Sequence, residues 1–226
     1  MRKIIAIVTL WCFGFMITSC SEDDLGLADV KLSFTSTSSA SGSSTSRIAD
    51  HIEITQALIG IDKIEIKSND SGEEEENEYN YAGPYVINLL DGSSDPELPL
   101  TEIVPGVYNK AEAELVPVVE DSYSVVISGM FGDTPYTFLW TNTEDFKAES
   151  DQGFELSAEI LNNLLISIDL HALFEGVDFE LAVVNNDGNI ILSKDSNTDL
   201  ADIVEANIEA ASEIGLDQDT DSVIDE

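Results

Sequence analysis

Apolar and polar residues alternate over most of this chain in short runs broken by Gly, Asn, Asp and Pro, and that period of two constrains its fold more than any other feature. Successive side chains of a strand point to opposite faces, so such runs bury one face and wet the other. Val30, Leu32 and Phe34 mark a first strand. Ile52 and Ile54, then Ala57, Ile59 and Ile61, then Ile64 and Ile66 continue the pattern, with a phase slip near Asp62 and Lys63 that predicts adjoining strands or a bulge. Residues 85–90 form a compact run. Over 107–116, the alternation sets Tyr108, Lys110, Glu112 and Glu114 opposite Val107, Ala111, Ala113 and Leu115. Gly132-Asp133-Thr134-Pro135 predicts a hairpin, and Asn162-Asn163 and residues 185–189 read as further turns, the latter followed by a strand at 190–192 and preceded by one at 181–184. The expected fold is mostly β: an antiparallel β-sandwich, or an open barrel, over 30–216. One amphipathic helix is expected over 198–214, because Leu200, Ile203, Val204, Ile208, Ala211 and Ile214 recur at three- and four-residue steps. Ser196 and Asp199 read as its capping box and Gly215 as its stop.

The N-terminal segment has a different character. Arg2 and Lys3 precede an almost uncharged stretch, 4–17, that ends in Ile17-Thr18-Ser19-Cys20. This is the pattern of a signal peptide over 1–19, and its apolar run is shorter than the roughly 20 residues a membrane-spanning helix needs. A cysteine closing such a segment resembles the lipobox of bacterial lipoproteins. The resemblance implies cleavage before Cys20, a diacylglyceride on its sulfur and an acylated new amine. Burying acyl chains, at about 0.8 kcal/mol per CH₂, then anchors the chain without a spanning segment. Cys12 leaves with the signal peptide and Cys20 is capped, so no disulfide is available and the core alone must hold the domain together.

Residues 20–29 are expected to be an acidic tether, and 35–46, rich in Ser, Thr, Ala and Gly, a flexible stretch. Ser21 stands where an Asp would resemble an inner-membrane retention signal, so the outer membrane is expected. Ser21-Glu22-Asp23-Asp24 resembles the surface-export signals of some Gram-negative lipoproteins, which makes a surface-exposed domain the expectation and a periplasm-facing one the alternative. With 45 Asp and Glu against 9 Lys and Arg, the formal net charge of −36 repels nucleic acid and anionic headgroups. The expected partners are therefore the membrane, through the lipid on Cys20, and a protein or glycan. At 43% hydrophobic residues, the chain is too apolar for a disordered acidic tail.

Ile61-Asp62-Lys63-Ile64-Glu65-Ile66, then residues 85–90, then Ile103-Val104-Pro105-Gly106-Val107-Tyr108 resemble a domain-of-unknown-function family found in bacterial lipoproteins, over roughly 30–120. The resemblance implies a β-sandwich and carries over no catalytic residue. Its motifs are turns and strands, and the Ser-rich stretch departs from the family's opening.

Catalytic patterns are absent from the sequence. His51 and His171 are the only histidines and neither sits in a His-Glu-x-x-His motif; there is no Gly-x-Ser-x-Gly elbow and no phosphate-binding Gly-Lys-Ser/Thr loop. The most specific chemical signal is the Asp-rich stretch 217–226. Calcium takes roughly six to eight hard oxygens, and acids at alternate positions of a tight loop can converge on one ion. Asp217, Asp219, Asp221 and Asp225 match positions of an EF-hand or thrombospondin type 3 loop, Val223 stands where a carbonyl ligand sits, and Ile224 takes the hydrophobic position. Ser222 replaces the turn Gly, and no twelfth-position Glu follows. A solvated acidic tail is the alternative, and Asp221-Ser222-Val223 also resembles an O-glycosylation acceptor. The expectation is a lipid-anchored, non-catalytic envelope or cell-surface binding protein with Ca²⁺ as its candidate ion. A structural subunit of an outer-membrane complex and a carboxylate-dependent hydrolase are the alternatives.

Overall fold

The computed structural model describes residues 26–37, 52–68, 79–118, 123–141 and 146–225. Among the described residues the domain is mostly β, with twelve strands and one α-helix. The strands are β1 (Ala28–Thr37), β2 (Ile52–Lys67), β3 (Tyr79–Asn88), β4 (Ser94–Asp95), β5 (Leu100–Ile103), β6 (Gly106–Leu115), β7 (Val125–Phe131), β8 (Thr134–Trp140), β9 (Phe146–Leu156), β10 (Leu161–Asp169), β11 (Ile190–Leu192) and β12 (Ser212–Leu216). Their hydrogen-bonded order is β11-β8-β7-β2-β6-β9-β12-β10-β1-β5, with β3 on the other edge of β2 and β4 on β3. Most pairs are antiparallel. The sheet is nevertheless mixed, because β1 with β10, β8 with β11 and β9 with β12 run parallel.

The long strand β2 organises the domain. Its first half pairs with β7 and its second half with β6, along the same edge. The handover falls at Gly60, whose amide donates to the Ser124 carbonyl and whose carbonyl accepts from the Val116 amide. A Cβ there would lie 2.2 Å from the Val116 carbonyl oxygen, so only glycine lets the two partners meet at this corner. The phase slip seen in the sequence is a register shift between Ile61 and Lys63, which keeps Ile61, Ile64 and Ile66 all buried in a single strand. A second shift, between Ile54 and Gln56, does the same for Ala57 and Ile59. Each fully buried isoleucine contributes about 1.5–3 kcal/mol, so correct phase along this one strand supports much of the core.

Two local expectations are corrected. In β6 a register shift between Tyr108 and Lys110 reverses the inward face, so Tyr108 is buried and Val107 is 60% exposed. Residues 181–184 do not form a strand. A 3₁₀ turn, Phe179–Leu181, places Phe179 against Phe131 and Tyr136 at centroid distances of 5.0 and 5.1 Å, and Val184 makes only an isolated bridge to Ile190.

The C-terminal helix α1 spans Thr198–Asn207 and buries Leu200, Ala201 and Val204, but it ends seven residues before the expected boundary. Residues 208–211 turn, and Ser212–Leu216 forms β12 against β10 and β9. Ile208, Ala211 and Ile214 suit a helix by spacing, yet Ile214 is inward on a strand, and Gly215 is a strand residue and not a helix stop. The expected capping box does not form either: the N-cap is Asn197 at φ +50°, whose side chain instead bonds the backbone of Val183 and Ile191. At the other end of the helix, the Asn207 amide donates to the carbonyls of Leu173 and Glu175.

Candidate functional site

The C-terminal loop grows directly from this sheet. Strand β12 ends at Leu216, and the Asp217 amide donates to the Asn163 carbonyl at 2.9 Å, extending the ladder by one residue. That tie buries Asp217, leaving it 6% exposed, and its carboxylate is satisfied locally: one oxygen accepts from the Asp221 amide and the other from the Ser222 amide, both at 3.1 Å. The loop closes where the Asp225 amide donates to the Leu216 carbonyl at 2.8 Å and the Gln218 amide donates to the Asp225 carboxylate. Below it, Ile224 packs on the bare backbone of Gly215, where a Cβ would lie 2.3 Å from the Ile224 Cγ2. Gly215 is therefore needed as a seat for the loop.

Thr220 and Ser222 both adopt left-handed backbone, at φ +62° and +69°. Ser222 thus takes the conformation for which a turn of this kind usually employs glycine, at a small steric cost.

Of the five positions singled out in the sequence, the fold brings three acids together. Carboxylate oxygens of Asp217, Asp219 and Asp225 lie within 4.8 Å of one another. Asp221 does not join them, and its carboxylate accepts from the Val223 amide at 2.9 Å. The Val223 side chain is exposed. No lysine or arginine among the described residues pairs with Asp217, Asp219 or Asp225. Partial desolvation, followed by the charges of Asp221, Asp225 and Asp217, pushes the Asp219 carboxyl above its ordinary value. Clustered like charges disfavour ionisation, and a cation placed among them would reverse that shift.

Beside the loop runs a groove of about 640 Å³ lined by Asp151, Glu213, Asp225 and Phe154. It lies along β12 and β9, which pair at a single position, Glu213 with Glu149.

A second charged constellation escapes sequence reading. Lys63 and Glu65 on β2, Glu112 and Lys110 on β6 and Lys147 and Glu149 on β9 form a ladder across the wet face. Lys67 bridges Glu65, at 2.9 Å, and Glu112; Lys110 pairs with Glu112 and lies 3.7 Å from Glu149; Lys63 pairs with Glu65. Partial burial raises the Glu112 carboxyl, but hydrogen bonds and charge from Lys110 and Lys67 outweigh it and hold the group down to about 2. Four of the chain's nine basic residues are used here, which leaves little positive charge to neutralise acids elsewhere.

Cys20, His51, the acidic run 22–24 and all of 38–46 lie outside the described residues, whereas Thr35–Thr37 complete β1. His171 is described; its backbone amide donates to Asp169 ahead of the 3₁₀ turn Ala172–Phe174. No helix among the described residues is long and apolar enough to cross a membrane. No family model, no characterised protein and no solved structure matches the chain.

Proposed function

We propose that this chain is a non-catalytic, lipid-anchored envelope protein, with the β domain held at the outer membrane by acyl chains on Cys20 and a weak Ca²⁺ site in its C-terminal loop. In this reading the domain binds a protein or glycan, and it is a relative of the lipoprotein family of unknown function that its strand and turn motifs resemble. The observation that carries the calcium site is the convergence of Asp217, Asp219 and Asp225 within 4.8 Å, with no basic side chain paired to them among the described residues.

Calcium would bind here chiefly by replacing mutual repulsion with shared coordination. Asp219 and Asp225 supply carboxylate oxygens from the open side of the loop, and Asp217, already held by two backbone amides, supplies a pre-oriented third. So few protein ligands in an exposed loop place the affinity in the extracellular class, with Kd on the order of 10⁻⁴ to 10⁻³ M. Many acids elsewhere attract divalent ions diffusely, so the test compares proteins in about 0.15 M salt, where that attraction is screened. Calorimetry of the mature chain should show one binding event that disappears in the Asp219→Asn/Asp225→Asn double variant. Equal stoichiometry and affinity in the two proteins would remove the site. The anchor is tested separately: Cys20→Ser should abolish incorporation of radioactive palmitate, and equal labelling of the variant would contradict it.

A further inference from the structure

Large apolar side chains that stand exposed are unevenly distributed. Among the described residues there are eleven, and five of them, Leu27, Val104, Val107, Ile160 and Leu161, come from three neighbouring chain segments at one end of the domain. The register places them together. Ala28 pairs with Ile103, so Leu27 and Val104 follow at the same end; Asp29 pairs with Leu161; and Gly106 pairs with Leu156, which brings the turn before Val107 beside the turn before Ile160. Asn162 locks the group. Its buried amide donates to the carbonyls of Asp29, Ser157 and Ile160, and its oxygen accepts from the Ser157 amide.

From this rim we infer that the domain rests on the lipid surface to which it is tethered, with Leu27, Val104, Val107, Ile160 and Leu161 seated at the headgroup boundary. The inference rests on the lipid-anchor reading, because Leu27 follows Cys20 by only seven residue steps. Fully extended, they span at most about 25 Å, so a lipid on Cys20 holds this end, and not the opposite one, near the bilayer. An apolar cluster of this kind in water calls for a covering partner, and the surface within reach of the tether is the one always present. Asp29, Glu102, Glu155 and Glu159 are exposed around the rim, so the surface it suits is zwitterionic and not anionic.

The test uses lipidated mature protein in phosphatidylcholine vesicles containing brominated phosphatidylcholine. Tryptophan is introduced as Val107→Trp or Leu161→Trp at the rim, and as Val183→Trp in the segment that follows the opposite end of β10, where Val183 is 71% exposed. Trp140 is buried and gives all three variants the same background. Quenching at least twofold greater for both rim positions than for position 183 is expected. Equal quenching in protein that floats with the vesicles overturns the docking and leaves the anchor intact. Equal quenching together with crosslinking of the rim to an envelope protein in cells overturns it in favour of a protein partner. Absence of lipid on Cys20 by mass spectrometry, with no flotation, overturns the anchor reading and the docking with it.

Discussion

Two groups of carboxylates on this molecule experience opposite fields. On the β2-β6-β9 face, Glu112 sits among Lys67 and Lys110 and is held down to about 2. In the C-terminal loop, Asp219 sits among Asp217, Asp221 and Asp225 and is pushed up. The residue types are nearly the same; what differs is whether the fold delivers cations with the acids. A chain with a formal net charge of −36 and nine basic residues compensates few of its acids internally, and the uncompensated cluster is where an external cation would have the most to offer.

The ladder carries the largest expected effect. Replacing Glu112 with Gln leaves Lys67 and Lys110 facing each other without their shared anion. The loss at pH 7 should be about 1–2 kcal/mol, less than the shift alone implies because solvent screens part of the interaction. Because the folded-state value is depressed, this stabilisation is complete above the ordinary value of 4.5 and disappears as pH falls through about 2. Denaturant unfolding of wild type and Glu112→Gln should therefore differ at pH 7 and converge toward pH 2; an equal gap at both pH values would mean that the charges do not carry the difference.

An intermediate effect is expected at the loop's seat. Gly215→Ala places a methyl against Ile224, so the loop must lift while the core remains intact. Global stability should fall by about 1 kcal/mol or less, because residues 218–223 of the loop are exposed and add little to the core, while the calcium heat is lost. Retention of full calcium affinity would show that the loop does not need its Ile224 contact.

The smallest effect, and the one of opposite sign, belongs to Asp219→Asn. Removing a carboxylate that its neighbours repel should leave the thermal midpoint of the metal-free protein unchanged or slightly higher, while abolishing its rise with calcium. A drop comparable to that of Glu112→Gln would mean that the loop acid is compensated after all.

Much of this contrast was legible in the sequence, but only on one side. Residues close in sequence reveal a loop, so Asp217, Asp219 and Asp225 could be named from spacing, as could the hairpin around Gly132-Asp133 and the phase slip in β2. Asp221 shows the limit of spacing, since it alternates with the others yet its carboxylate stands outside the cluster and accepts from the Val223 amide. The ladder was invisible because Lys63, Glu112 and Lys147 meet only after three strands pair. The parallel pairing of β1 with β10 joins segments 132 residues apart, Asp29 with Leu161, and no turn signal announces it. The end of α1 is hidden in the sequence because Ile208, Ala211 and Ile214 fit a helical period, whereas β12 is decided by its partners β10 and β9.

The most direct test is an NMR titration of side-chain carboxyl carbons that follows Glu112 and Asp219 in the same sample, with and without calcium. Glu112 should titrate well below the ordinary glutamate range and ignore calcium. Asp219 should titrate above the ordinary aspartate range and move down when calcium is added. If both titrate at ordinary values and calcium shifts neither, the fold does not create the two opposed environments described here.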